Sequence, residues 1–168
     1  MPFTRPFDPS LLDALEERIV QWAGECWRQV FEGTEPLKAN VRGSRWNPPG
    51  VEALYVSLSA ETAAAEISHL VSRQPLPITA PRITYKLRAS LDKVIKLEEL
   101  SSLEQFGLTA QLLFGDSHDA PRHLGDAANW LGCQGLLIPS ARHEGHNLVI
   151  FMNNLSDNSG IDVLYREA

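Results

Sequence analysis

Apolar and polar positions alternate or recur along most of this chain, and the period of the pattern predicts its elements. Asp8-Pro9-Ser10 reads as a helix start, and Leu12, Leu15, Ile19 and Trp22 continue it on one face as far as Gly24. From Cys26 to Phe31 the residues alternate, with Cys26, Arg28 and Val30 opposite Trp27, Gln29 and Phe31, which predicts a strand. Ala53 to Ser57 is a second strand: Leu54 and Val56 share one face, so Tyr55 points to the other. Ser59 is a good N-cap, and Ala63, Ile67, Leu70 and Val71 follow at helical spacing to Arg73. Gln74-Pro75-Leu76-Pro77 ends that helix. Ile83, Tyr85 and Leu87 then alternate as a half-exposed strand, and Val94 to Leu97 forms another short one. Between Glu98 and Ala120 the apolar residues are interrupted by Gly107 and Gly115, which predicts short helices or an ordered loop. Leu124 to Trp130 is helical, Gly135 to Ile138 and Leu148 to Met152 suit strands buried on both faces, and Ile161 to Tyr165 closes the chain as a strand. The sum is an α+β domain without repeats.

Composition narrows the class. With 168 residues, 43% hydrophobic and 21% charged, one domain spanning 1–168 can build a full core. The net charge of −6 argues against direct binding to nucleic acid or to an anionic membrane surface. Cys26 and Cys133 lie far apart in apolar surroundings and read as buried thiols, and the chain opens without a signal-peptide core; both features predict a cytoplasmic protein.

The residues with chemical potential concentrate between Val41 and Leu70. Gly43, Pro48, Pro49 and Gly50 mark turns that present Arg45, Trp46 and Asn47 on a loop. Tyr55 and Glu66 follow on the strand and on the helix. Each alone has an ordinary explanation: Arg45 stacked on Trp46, Tyr55 as a core aromatic, Glu66 as a solvated helix residue. An arginine, a tyrosine and a glutamate spread over a loop, a strand and a helix are harder to explain together by packing. Arg28, on a strand face with Cys26 and Val30, is a guanidinium that either snorkels to solvent or holds an anion. His143 and His146 flank Glu144-Gly145 in a turn, which is not the spacing of a helical zinc site. No glycine-rich nucleotide loop is present, and Ser140 lacks the strand-to-helix elbow of a hydrolase nucleophile.

The motifs resemble the RES-domain family. Gly43-Ser44-Arg45-Trp46-Asn47 matches its G-x-R-W-N, Leu54-Tyr55 its strand ending in tyrosine, and Glu61 through Glu66 its E-T-A-x-x-E. Trp27-Arg28 matches the opening pair, and Leu136 to Arg142 with Asn147 to Val149 the late block. The resemblance covers Cys26 to Phe151, leaving residues 1–25 as an N-terminal helical extension to a 26–151 core. It implies an ADP-ribosyltransferase-like fold, in which two small sheets clasp a cleft, and an NAD-degrading toxin that cleaves the nicotinamide–ribose bond. It further implies Arg45, Tyr55 and Glu66 as catalytic residues and Arg28, Trp46, Asn47 and Ser140 as substrate contacts. NAD is then the substrate, no metal or other cofactor is expected, and a helix-turn-helix antitoxin is the expected partner. Whether the acceptor is water, phosphate or a protein stays open, as does a non-catalytic binding module. Arg142, beside His143 and Glu144, is expected in a surface loop away from the site.

Overall fold

The computed structural model describes residues 6–167, so the first five residues of the expected N-terminal extension lie outside the described residues. Helix α1 (Pro9–Glu16) is capped by Asp8, whose carboxylate accepts from the Ser10 amide at 2.8 Å, and it buries Leu12 and Leu15. It stops well short of Gly24. Strand β1 (Ile19–Phe31) begins three residues after it, so Ile19 and Trp22, placed on the helix by their spacing, belong to the sheet. The reason is tertiary: β1 pairs antiparallel along its length with β3 (Arg82–Lys96), from Ile19 opposite Ile95 to Phe31 opposite Arg82, with an irregularity between Val20 and Trp22. A ladder of that length outweighs helical spacing in one short segment.

Strand β3 is itself one element where two short strands were expected. Ile83, Tyr85, Leu87, Ala89 and Leu91 are all buried, so the alternation continues through the polar stretch between them. Its length lets it serve several partners. On the side away from β1 it pairs antiparallel with β6 (Gly160–Glu167) over residues 84–90 and parallel with β4 (Gly135–Pro139) over residues 94–96. Strand β5 (His146–Phe151) then joins β4 to β2 (Ala53–Ser57), both antiparallel. Strand β2 meets β1 where Trp27 faces Ser57.

The result is a single sheet in the order β1-β2-β5-β4-β3-β6, closed on itself by the β1–β3 pairing. The two separate sheets expected from the resemblance are therefore joined, because β3 belongs to both sides. The closure between β1 and β2 is narrow, and the seam beside it opens toward the site described below.

Two apolar clusters result. Cys26, Val30, Leu54, Leu87, Leu137 and Leu148 fill the inside of the curved sheet. Outside it, α1, α3 (Leu100–Glu104), α4 (Ala110–Phe114) and α5 (Asp119–Trp130) pack Leu15, Leu103, Leu113 and Leu124 against Leu136 and Val149. The segment after Glu98 thus forms two short helices around buried Leu103, Leu108 and Leu113, as its pattern predicts. Helix α2 (Ala60–Ser72), capped by the Ser59 hydroxyl, crosses the β1–β2 side. Both cysteines are free and buried, and desolvation raises the Cys26 thiol to about 12 and Cys133 to about 11. Among the described residues no helix is long and apolar enough to cross a membrane.

Candidate functional site

The loop before β2 is assembled around Tyr55. Its hydroxyl accepts from the Trp46 amide at 3.1 Å and donates to Asn47 Oδ1. Asn47 is completely buried, and its Nδ2 donates to the Val51 carbonyl at 2.8 Å and the Asn40 carbonyl at 3.3 Å. Gly43 turns the loop at φ +99, where a side chain would be strained. Asn47 therefore works behind Tyr55 rather than facing a ligand. Trp46, 3% exposed, sits with its ring in the helix-side core. Both were expected to touch the ligand: Asn47 lies behind the loop in neither of the two cavity walls beside Tyr55, whereas Trp46, though largely buried, contributes to the wall of the second. Burial raises the Tyr55 phenol to about 12, so it enters any chemistry as a neutral donor and acceptor.

Two adjoining cavities open on either side of Tyr55. The first, about 350 Å³, lies at the β1–β2 seam and is lined by Trp27, Arg28, Phe31, Ser57 and Ile67. The second, about 470 Å³, is lined by Arg45, His69, Arg73, His118 and Arg142. Ser44, Tyr55, Glu66, Leu70 and Asn147 belong to both walls.

Glu66 projects from the middle of α2 onto that shared wall. Its Oε1 accepts from the Ser140 hydroxyl at 2.6 Å and from Asn147 Nδ2 at 2.7 Å. Ser140 is fixed in turn, because its oxygen accepts from the Arg142 and His143 amides at 3.1 and 3.2 Å. The loop carrying it is docked on α2, where Thr62 Oγ1 lies 3.0 Å from His143 Nδ1 and Gly145 approaches so closely that a Cβ would stand 2.2 Å from Thr62 Oγ1. His146 Nε2 instead meets the Glu98 carbonyl at 2.9 Å, so the two histidines of the turn serve separate contacts.

The first cavity holds Arg28. Its Nη1 donates to the Pro36 and Lys38 carbonyls at 3.0 and 2.9 Å, and among the described residues no carboxylate is within ion-pair distance. Desolvation without a compensating anion lowers its pKa to about 10. Arg45 stands in the second cavity, its Nη1 donating to the Leu113 and Gly115 carbonyls at the end of α4. Burial, and then the charge of Arg142, holds it below the usual guanidinium range. His69 and His118 are lowered first by burial, and next by Arg142 and Arg45 respectively. Arg73 is paired with Asp116 at 2.7 Å across the rim. The second cavity gathers three guanidiniums, from Arg45, Arg73 and Arg142, beside the carboxylates of Glu66 and Asp116; an anion placed there would find bidentate donors.

Arg142 does lie in a turn beside exposed His143 and Glu144, as expected, but that turn docks on α2 and puts Arg142 in the wall of the cavity that Arg45 also lines, so it belongs to the site. Four lining residues, His69, Arg73, His118 and Arg142, come from α2, from the loops flanking it and α5, and from the turn after β4. No spacing in the sequence groups them; only the late motif block touched one of them.

With this geometry in place, comparison with known proteins gives it a family. Residues 18–164 match the RES domain. The chain belongs to the RES-domain family. The match is wider at both ends than the Cys26 to Phe151 core, because it takes in the start of β1 and most of β6. Proteins named NAD(+) phosphorylase MbcT from Mycobacterium tuberculosis (strain H37Rv) and Mycobacterium bovis are each 30% identical over 149 residues, covering 77% of this chain and 78% of theirs. The fold of this RES domain is also that of a chain in the crystal structure of the M. tuberculosis MbcT–MbcA toxin–antitoxin complex, with a TM-score of 0.84, 23% identity and coverage of 95% and 92% of the two chains.

Proposed function

We propose that this chain cleaves the nicotinamide–ribose bond of NAD and transfers the ADP-ribosyl group to inorganic phosphate. The observation that carries the reading is Glu66: a carboxylate anchored through one oxygen, on the wall between an aromatic-lined cavity and a cationic one. The name of the 30% identical relatives points the same way.

The chemistry follows from charge. As the C–N bond stretches, its electron pair goes to the nicotinamide ring, which loses its positive charge, and positive charge grows on the ribose. The unbonded oxygen of Glu66, holding a ribose hydroxyl, stabilises that oxocarbenium-like state more than the ground state. A phosphate oxygen then bonds to the anomeric carbon, giving a sugar phosphate and free nicotinamide. Nicotinamide leaves neutral without needing a proton, so the reading requires no metal. Trp27 and Phe31 offer aromatic faces in the first cavity, and Arg45, Arg73 and Arg142 offer the charge that diphosphate and phosphate demand. In this reading the closed sheet is a variant of the ADP-ribosyltransferase clasp, and the chain acts on the cytoplasmic NAD pool as a toxin. A helix-turn-helix antitoxin masks it by seating an acidic segment against Arg28 or Arg45.

Incubating the purified protein with NAD, with and without phosphate, and weighing the products by mass spectrometry tests this. Phosphorolysis yields nicotinamide and a phosphorylated ADP-ribose that requires added phosphate. ADP-ribose alone in both arms means that water is the acceptor, and a mass added to proteins of a lysate means an ADP-ribosyltransferase.

Arg45→Lys keeps the charge and loses the planar fork. Its expected effect is a loss of about 1–3 kcal/mol in NAD binding by calorimetry, with faster amide exchange over residues 110–116 because the carbonyls at the end of α4 lose their donor.

A further inference from the structure

The strands behind Glu66 carry a relay that neither the motif nor the comparisons assign. Asn147 on β5 stands directly opposite Ser57 on β2 in the antiparallel register, and the Ser57 hydroxyl donates to Asn147 Oδ1 at 2.7 Å. A carboxamide has one acceptor end and one donor end. With the acceptor end held by Ser57, which is itself buried, the donor end must face the other way, and there Nδ2 meets Glu66 Oε1 at 2.7 Å. Ser140 donates to the same oxygen at 2.6 Å. Both anchors therefore fall on Oε1, and Oε2 accepts no hydrogen bond among the described residues.

We propose that Asn147, oriented by Ser57, is a positioning residue: it fixes the carboxylate so that one oxygen is spent on the protein and the other is kept for the ribose. The inference rests on the reading of Glu66 given above. The two anchors differ in origin. Ser140 comes from the turn after β4, which docks on α2, whereas Asn147 lies at the start of β5, opposite Ser57 of β2 on one side and Ile138 of β4 on the other. Its backbone is held by both ladders where the sheet forms the cavity wall. A carboxylate held from a rigid strand keeps its direction while ligands come and go.

A double-mutant cycle tests this, using the parent, Asn147→Ala, Glu66→Ala and the pair. Asn147→Ala is expected to lower kcat by about 10- to 100-fold with KM for NAD changed less than about threefold, because the misaligned carboxylate fails in the transition state. In the Glu66→Ala background the same change is expected to cost nothing further. Ser57→Ala should lower kcat about three- to tenfold, and Ser57→Thr, which keeps the hydroxyl, should restore it. An Asn147→Ala loss that is undiminished in the Glu66→Ala background, or that falls on KM with kcat intact, overturns the proposal. The same four proteins give a melting-temperature cycle that needs no substrate. If the parent consumes no NAD, the functional reading fails, and additive melting shifts then remove the Asn147–Glu66 coupling as well, while non-additive shifts keep it. Should Asn147→Ala fail to fold, the Ser57→Ala and Ser57→Thr pair carries the same decision through its kcat.

Discussion

Gly125→Ala is expected to lower the melting temperature by roughly 4–8 °C, a large effect for one methyl group. A Cβ at Gly125 would stand 1.7 Å from the Trp46 carbonyl oxygen and 2.7 Å from its carbon, so helix and loop must move apart. Alanine returns about 1 kcal/mol of helix propensity, but overpacking against backbone costs about 3 kcal/mol, and the net loss of about 2 kcal/mol shifts a domain of this size by about 2–4 °C per kcal/mol. Function should fall with stability. Helix α5 meets the loop at this point and through Arg122 Nε, which donates to the Ser44 carbonyl at 3.1 Å, and the loop supplies the Trp46 amide that fixes Tyr55. Gly160→Ala, with open space around its Cβ, is the matched control and should melt like the parent. A Gly125→Ala protein with the parent's melting temperature would mean that α5 does not set the loop.

Much of this architecture is written in the period of the sequence. The alternation around Tyr55, the apolar runs at Gly135 and Leu148 and the Ser59 cap of α2 all lead to elements that form. The failures share one cause. Ile19 and Trp22, three residues apart, fit helical spacing and break strand alternation, and only their distant partners on β3, with an irregularity between Val20 and Trp22, place them in a strand. Likewise, the alternation of Ile83, Tyr85 and Leu87 runs on through Ala89 and Leu91, but nothing local shows that β3 pairs on both edges and so joins what would otherwise be two sheets.

The site divides in the same way. Arg45, Tyr55, Glu66 and Ser140 carry motif signals, and the fold sets the first three on the walls of one pair of cavities and Ser140 against Glu66. Asn47 carries the same signal but is spent inside the loop, and Trp46 reaches the second cavity's wall from a largely buried position, since a motif marks a residue without saying whether it faces the ligand or holds its neighbour. His69, Arg73 and His118 carry none, and Arg142 only closes the late block, because a field of charge assembled from separate elements has no sequence period.

Glu66→Gln is expected to reduce NAD turnover by two or more orders of magnitude, about 3 kcal/mol of transition-state stabilisation, while the protein melts normally and binds NAD about as well as the parent. The substitution is nearly isosteric, so the hydrogen bonds that Oε1 accepts from Ser140 and Asn147 can persist. What disappears is negative charge beside the ribose. Positive charge on the sugar exists only as the bond to nicotinamide breaks, so the loss belongs to the rate and not to affinity. A solvated helix glutamate predicts no change in either.

The role of Glu66 is therefore decided by the initial rate of nicotinamide release at saturating NAD and phosphate, for the parent and for Glu66→Gln at equal folded concentration. The parent is expected to release nicotinamide steadily and the variant at least a hundredfold more slowly; equal rates from two normally folded proteins would remove Glu66 from the chemistry.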